Sequence, residues 1–133
     1  MATYLDTSAL VKLVVEERES VALRMFVADI QVASSLLART ELMRAVRRYP
    51  DEKAVDRADD LLNRMRLIPI DELQSIEAGR VPPVGLRSLD ALHVVSALRL
   101  LRAGLRAVVT YDERMAAAAR LHGLPVVAPG SAL

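Results

Sequence analysis

The sequence predicts an α/β fold: a three-layer α/β/α sandwich around a mainly parallel central sheet of four to five strands. Three observations carry this expectation. Short apolar runs alternate with longer amphipathic ones, the βαβ rhythm that places helices on both faces of a parallel sheet. Apolar residues make up 53% of the 133 residues but aromatic ones only 3%, with no Trp and the single Phe26, so the core is aliphatic, as suits strands buried on both faces. Two of the apolar runs, one near each end of the chain, stop at acids followed by helix-like segments, as strands do at the ligand-binding edge of open α/β sheets.

In chain order, the first strand spans Ala2 to Leu5 and runs into Asp6, Thr7 and Ser8; Ser8 to Val15 continue as one or two apolar helical turns. After the solvated cluster Glu16-Glu17-Arg18-Glu19, the apolar positions of Ser20 to Ala28 predict a second helix, and Ile30 to Ala33 a second strand. Ser34 and Ser35 are candidate caps for a helix over Leu36 to Tyr49, closed by Pro50. On it Leu42 and Val46 form one stripe, and Leu37, Glu41, Arg44 and Arg48 another.

Asp51 is placed to cap the next helix, Glu52 to Arg66, whose apolar face is Ala54, Ala58, Leu61, Leu62 and Met65. Leu67 to Ile70, interrupted by Pro69, reads as an edge strand. A short helix over Asp71 to Ala78 is expected to stop at Gly79, and Val81-Pro82-Pro83-Val84-Gly85 is a surface loop. The strongly apolar helix Leu89 to Ala103 ends at Gly104, the fourth strand covers Ala107 to Val109, and a helix follows over Glu113 to Leu121. Gly123-Leu124-Pro125 turns the chain into a last strand, Val126 to Ala128, with a frayed tail over Pro129 to Leu133. No repeat or boundary divides the chain, so residues 1–133 form a single domain.

Composition narrows the function. The absence of Cys excludes disulfides, thiol catalysis and Cys-ligated zinc, and fits a reducing cytoplasm. No apolar run approaches the roughly 18 residues of a membrane span, and the first residues lack a secretory pattern. All but two of the 18 basic residues are arginines, the exceptions being Lys12 and Lys53; arginine is the preferred fork for phosphate, though genomic codon preference explains the bias equally well. A net charge of +1 argues against a broad polyanion-binding surface and leaves room for a local basic rim around an acidic pocket.

Four acids stand out. In a parallel sheet the strands ending at Asp6 and near Asp112 point the same way, so both acids lie at one edge. Glu41 interrupts an apolar helix, where a buried charge needs a partner or a metal. Asp90 falls in the first turn of an apolar helix, with His93 on the same face. Each has an ordinary explanation as well: Asp6 and Asp112 as helix caps, Asp90 as complement to a helix dipole, Glu41 as a surface partner of Arg44 or Arg48. What these leave unexplained is the shared edge. Carboxylates gathered there with the hydroxyls of Thr7, Ser8 and Thr110, and without imidazole or thiolate, are hard-ligand chemistry suited to Mg²⁺ or Mn²⁺, the natural partner for acids that otherwise repel one another.

Asp6-Thr7-Ser8-Ala9-Leu10, Glu41-Leu42, Arg87-Ser88-Leu89-Asp90-Ala91-Leu92-His93 and Thr110-Tyr111-Asp112 together resemble the PIN-domain nucleases, and among them the VapC toxins of bacterial toxin–antitoxin pairs. The resemblance implies a compact α/β/α fold and a Mg²⁺- or Mn²⁺-dependent endoribonuclease that inhibits translation by cutting structured RNA such as tRNA or rRNA. It implies Asp6, Glu41, Asp90 and Asp112 as catalytic, metal-site acids, Ser8 and Thr110 as supporting hydroxyls, a homodimer, and silencing by a cognate VapB-type antitoxin. Glu113 stands directly beside Asp112, so two acids compete for the fourth position. The alternative is a non-catalytic α/β module binding RNA or a partner, its acids serving as caps. A haloacid-dehalogenase-type phosphatase would need a second Asp where Ser8 stands, and a receiver domain a late strand-end Lys that this chain lacks.

Overall fold

The computed structural model describes residues 1–131. Five strands, β1 (Ala2–Leu5), β2 (Gln31–Ser35), β3 (Arg66–Ile68), β4 (Leu105–Val109) and β5 (Val126–Val127), form one sheet in the order β3-β2-β1-β4-β5, parallel throughout. Seven helices connect them: α1 (Thr7–Val14), α2 (Ser20–Val27), α3 (Ala38–Val46), α4 (Lys53–Arg64), α5 (Glu72–Arg80), α6 (Ser88–Gly104) and α7 (Glu113–Leu121). The three-layer sandwich expected from the sequence is present, with all five strands.

The strand order decides which helix lies where. From β1 the chain steps to β2 and β3 on one side, then returns across β1 to β4 and β5 on the other. Parallel crossovers are right-handed, so reversing the direction of travel moves the connecting helices to the opposite face. Leu5 and Val109 accordingly pack with Leu10, Leu23, Leu42 and Leu62 from α1 to α4, whereas Tyr4 and Val108 pack with Ala97, Leu100 and Ala119 from α6 and α7. The reversal happens beside β1, where β1 lies between β2 and β4, and open α/β sheets bind ligands at such a switch.

Several boundaries differ from expectation for local reasons. Gly79 does not stop α5; the helix runs to Arg80, and the break comes at Val81, held extended (φ −67°, ψ 129°) by the Pro82 that follows. Ser34 and Ser35 are not helix caps in the expected sense: β2 extends through both, and α3 starts only at Ala38, with the Ser35 hydroxyl accepting from the Leu37 amide at 3.2 Å. β3 starts one residue early and stops at Ile68, before Pro69, which supplies no ladder donor. Gly104 does end α6, in the left-handed region at φ 103°.

The tail is also better held than expected. The Tyr111 hydroxyl donates to the Pro129 carbonyl at 2.8 Å, and a Cβ at Gly130 would come within 3.0 Å of Ala22, so the chain packs down through that point; residues 132 and 133 of the expected frayed tail lie outside the described residues. No helix among the described residues is long and apolar enough to cross a membrane.

Because Gly79 sits inside a helix with open space where a Cβ would go, Gly79→Ala is expected to stabilise the protein by about 0.5–1 kcal/mol, read as a raised urea midpoint with unchanged slope.

Candidate active site

Register builds the centre of the site. Leu5 pairs with Val109, and the Asp6 amide donates to the Val109 carbonyl at 3.2 Å, so Asp6 and Thr110 leave the sheet side by side. The Thr110 hydroxyl donates to Asp6 Oδ2 at 2.5 Å; Oδ1 accepts from the Ser8 hydroxyl at 2.6 Å and from the Ala9 amide at 3.2 Å. Asp6 is therefore the cap of α1, but with only one of its oxygens. A surface cap has no need of burial, and Asp6 is only 4% exposed. Burial raises its pKa above the ordinary carboxylate range, against the lowering effects of His93 and of the bonds from Ser8, Thr110 and Ala9.

Glu41 approaches from α3. It pairs with neither Arg44 nor Arg48: Oε1 accepts from the Thr7 hydroxyl at 2.9 Å and bonds His93 Nε2 at 2.7 Å. Burial pushes its pKa up, but His93, by hydrogen bond and by charge, and Thr7 together outweigh it and leave the group below its usual value. Leu42 and Val46 on the neighbouring stripe are buried in the core, which turns Glu41 toward the edge of the sheet.

His93 stands at i+3 from Asp90 on α6, and its ring is packed inward against residues of β1 and α3. It is 2% exposed, and its Nδ1 bonds the Tyr4 hydroxyl at 2.7 Å, so Tyr4, His93, Glu41 and Thr7 form one chain of hydrogen bonds from beneath the sheet to the rim. Burial holds the Tyr4 phenol protonated, its pKa far above the ordinary value. The sequence shows each member, but nothing in local spacing joins a residue of β1 to one of α6.

Asp90 and Asp112 meet through a residue with no assigned role in the sequence reading. Arg87 Nε lies 3.3 Å from Asp90 Oδ2, and Arg87 Nη2 lies 3.6 Å from Asp112 Oδ2. Asp112 Oδ1 meanwhile caps α7, accepting from the amides of Arg114 at 2.8 Å and Met115 at 3.1 Å. Of the adjacent acids, Asp112 has this strand-end geometry, and Glu113 is exposed on the helix.

All four acids thus stand at the carboxyl edge of the sheet. Among the described residues, no three acidic or histidine side chains already enclose a position for an ion, because Glu41 rests on Thr7 and His93 while Asp90 and Asp112 rest on Arg87. The donor chemistry nonetheless fits a hard divalent cation: carboxylate and hydroxyl oxygens throughout, with Asp6 Oδ2 held by the Thr110 hydroxyl alone.

Fold and site define an open α/β/α domain with a carboxylate crevice at its switch point. The chain belongs to the PIN domain family, whose pattern matches residues 3–121, and within it to the VapC ribonucleases. It is 38% identical to Ribonuclease VapC47 of Mycobacterium tuberculosis, covering 96% of this chain and 97% of that one, and 43% identical to Ribonuclease VapC46 of the same organism, covering 96% and 98%. Among solved structures it resembles Mycobacterium tuberculosis VapC20, described as a sarcin-ricin loop cleaving toxin (TM-score 0.72, 16% identity, 96% of this chain and 99% of that one). It also resembles the VapBC2 complex of Rickettsia felis bound to a promoter DNA fragment (TM-score 0.65, 16% identity, 97% and 99%). At that identity both likenesses concern the fold.

The raised pKa of Asp6 has a stability consequence. The folded chain holds the Asp6 proton more tightly than the unfolded chain, so the contribution of Asp6 to stability is fully present at low pH and is lost as pH rises through the folded pKa. In metal-free buffer, Asp6→Asn is expected to melt several degrees above wild type at pH 7, the gap closing as pH falls; equal melting at pH 7 would contradict it.

Proposed function

We propose that the protein is a Mg²⁺-dependent endoribonuclease toxin, with Mn²⁺ an alternative ion, that cleaves tRNA or rRNA and so inhibits translation until a cognate VapB-type antitoxin covers its site. The observation that carries this reading is the meeting of Asp6 and Thr110 at the reversal of strand order, with Glu41, Asp90 and Asp112 at the same edge. The names of the relatives, ribonucleases of the VapC type, support it.

Asp6, Glu41, Asp90 and Asp112 would hold the ion. When bound, it supplies an acidified water and offsets charge on the phosphodiester. The other residues prepare that site. Ser8 and Thr110 keep both Asp6 oxygens aligned, while Thr7 and His93 both hold Oε1 of Glu41. Arg87 offsets the repulsion between Asp90 and Asp112 and offers a guanidinium to a phosphate arriving beside them. Attack by water rather than by the ribose 2′-hydroxyl leaves a 3′-hydroxyl and a 5′-phosphate.

We read the protein further as a cytoplasmic homodimer. Exposed apolar side chains on α2 (Val21, Met25) and α5 (Leu73, Ile76) are consistent with self-association.

Incubated with total tRNA and rRNA in millimolar Mg²⁺ or Mn²⁺, the wild type is expected to give discrete fragments with 5′-phosphate ends. EDTA should abolish cleavage, and Asp6→Asn or Asp90→Asn should slow it at least about 100-fold, as when a charge-stabilising group is lost. Induced expression should arrest growth for wild type and not for Asp6→Asn. Intact RNA with either ion, together with unimpaired growth, would sink the proposal.

A further inference from the structure

We propose that the cleft between the Pro83–Leu86 loop and α7 is a nucleobase subsite, which receives an unstacked base of the RNA next to the scissile phosphate; the proposal rests on the ribonuclease reading above. The cleft has a volume of about 360 Å³, within the roughly 300–1,000 Å³ range of small-ligand pockets. Pro83 and Leu86 form one wall, and Ala117 and Leu121 of α7 the other. Arg87 and Arg114 stand at its lining as well, and so does Asp90, which makes the cleft continuous with the acidic edge.

Three features favour a base over other occupants. First, protein recognition of RNA sequence depends on splaying single-stranded bases out onto aromatic rings, apolar surface or guanidinium planes. This chain has no aromatic side chain in the cleft and supplies aliphatic walls with two guanidinium groups instead. Second, a base brings its own phosphates, and the lining offers them two guanidinium groups, that of Arg114 and the exposed part of Arg87, which also holds Asp90 and Asp112. Third, the space suits a base and part of its ribose, whereas an α-helix of a protein partner is about 10–12 Å across with its side chains.

The cleft is also built to keep its shape. His122, at the end of α7, bonds the Pro82 carbonyl at 2.6 Å, and the Leu86 amide donates to the Pro83 carbonyl at 3.0 Å, so the loop is tied to the helix opposite and closed on itself. At the other end Arg87 reaches Asp112 at the start of α7. Both ends of the cleft are thereby bridged, and a base entering it would lie beside Asp90, which lines it.

The test uses Ala117→Phe, which places a ring in the cleft from an exposed helix position that touches none of the four acids, with Ala117→Leu as a milder second variant should the first unfold. Amide chemical shifts are followed as each of the four nucleoside 5′-monophosphates is titrated in, and kinetics and cut sites are mapped on a single-stranded RNA of randomised sequence. We expect shifts at Gly85, Leu86, Ala117 and Leu121 in wild type and their loss in Ala117→Phe. We also expect a KM at least tenfold higher with kcat within about twofold, the mark of lost binding rather than lost chemistry, and a changed base preference beside the cut. Unchanged KM and preference, with no shifts at the cleft, would overturn the subsite while leaving the ribonuclease intact. Loss of inhibition by antitoxin with RNA kinetics unaltered would overturn it too, assigning the cleft to a protein. Mononucleotide shifts at the cleft in a wild type that cuts no RNA would support the subsite and defeat the ribonuclease reading.

Discussion

The site depends on the register between β1 and β4, two strands roughly a hundred residues apart in the chain. With Leu5 opposite Val109, the sheet delivers Asp6 and Thr110 to the same place with no freedom left to misalign them. A shift of one residue would turn every side chain of β1 to the other face. Asp6 would then enter the core of one layer, and Tyr4 would leave the layer in which His93 lies. The buried chain Tyr4–His93–Glu41 and the buried pair Asp6–Thr110 therefore rest on one backbone arrangement.

That arrangement concentrates negative charge on a chain whose net charge is only +1. The fold handles it locally. Asp6 is buried among hydroxyls at the cost of a raised pKa, Glu41 is stabilised by His93 and Thr7, and Asp90 and Asp112 share Arg87. The exposed ion pairs elsewhere, such as Arg24 with Glu16, contribute little by comparison, because solvent screens them. Each of the four acids is thus held by a hydroxyl, imidazole or guanidinium partner.

Much of this was legible in the residues. The βαβ rhythm, the aliphatic core and the chain direction at Asp6 and Asp112 are enough to place those two acids on one edge, and the four short blocks together point to the family. Less was legible where local and tertiary preferences compete. Gly79 looks like a helix stop because glycine is a poor helix former, yet Pro82 two residues after Arg80 is the stronger breaker. Ser34 and Ser35 look like caps, but pairing with β3 carries the strand through them. His93 shows a plausible neighbour at helical spacing in Asp90, but its actual partners come from β1 and α3.

By itself, the sequence determined the class of fold, the order of its elements and the family, because these follow from periodicity, composition and short motifs read along the chain. Only the tertiary structure decided the partners of each acid. Asp6 is a cap and a buried carboxylate at once, Glu41 belongs to His93 rather than to an arginine of its own helix, and Arg87 joins Asp90 to Asp112. The reason is physical: hydrogen bonds and ion pairs between residues far apart in the chain depend on register and on the face to which each helix is carried. Those are set by the whole sheet at once.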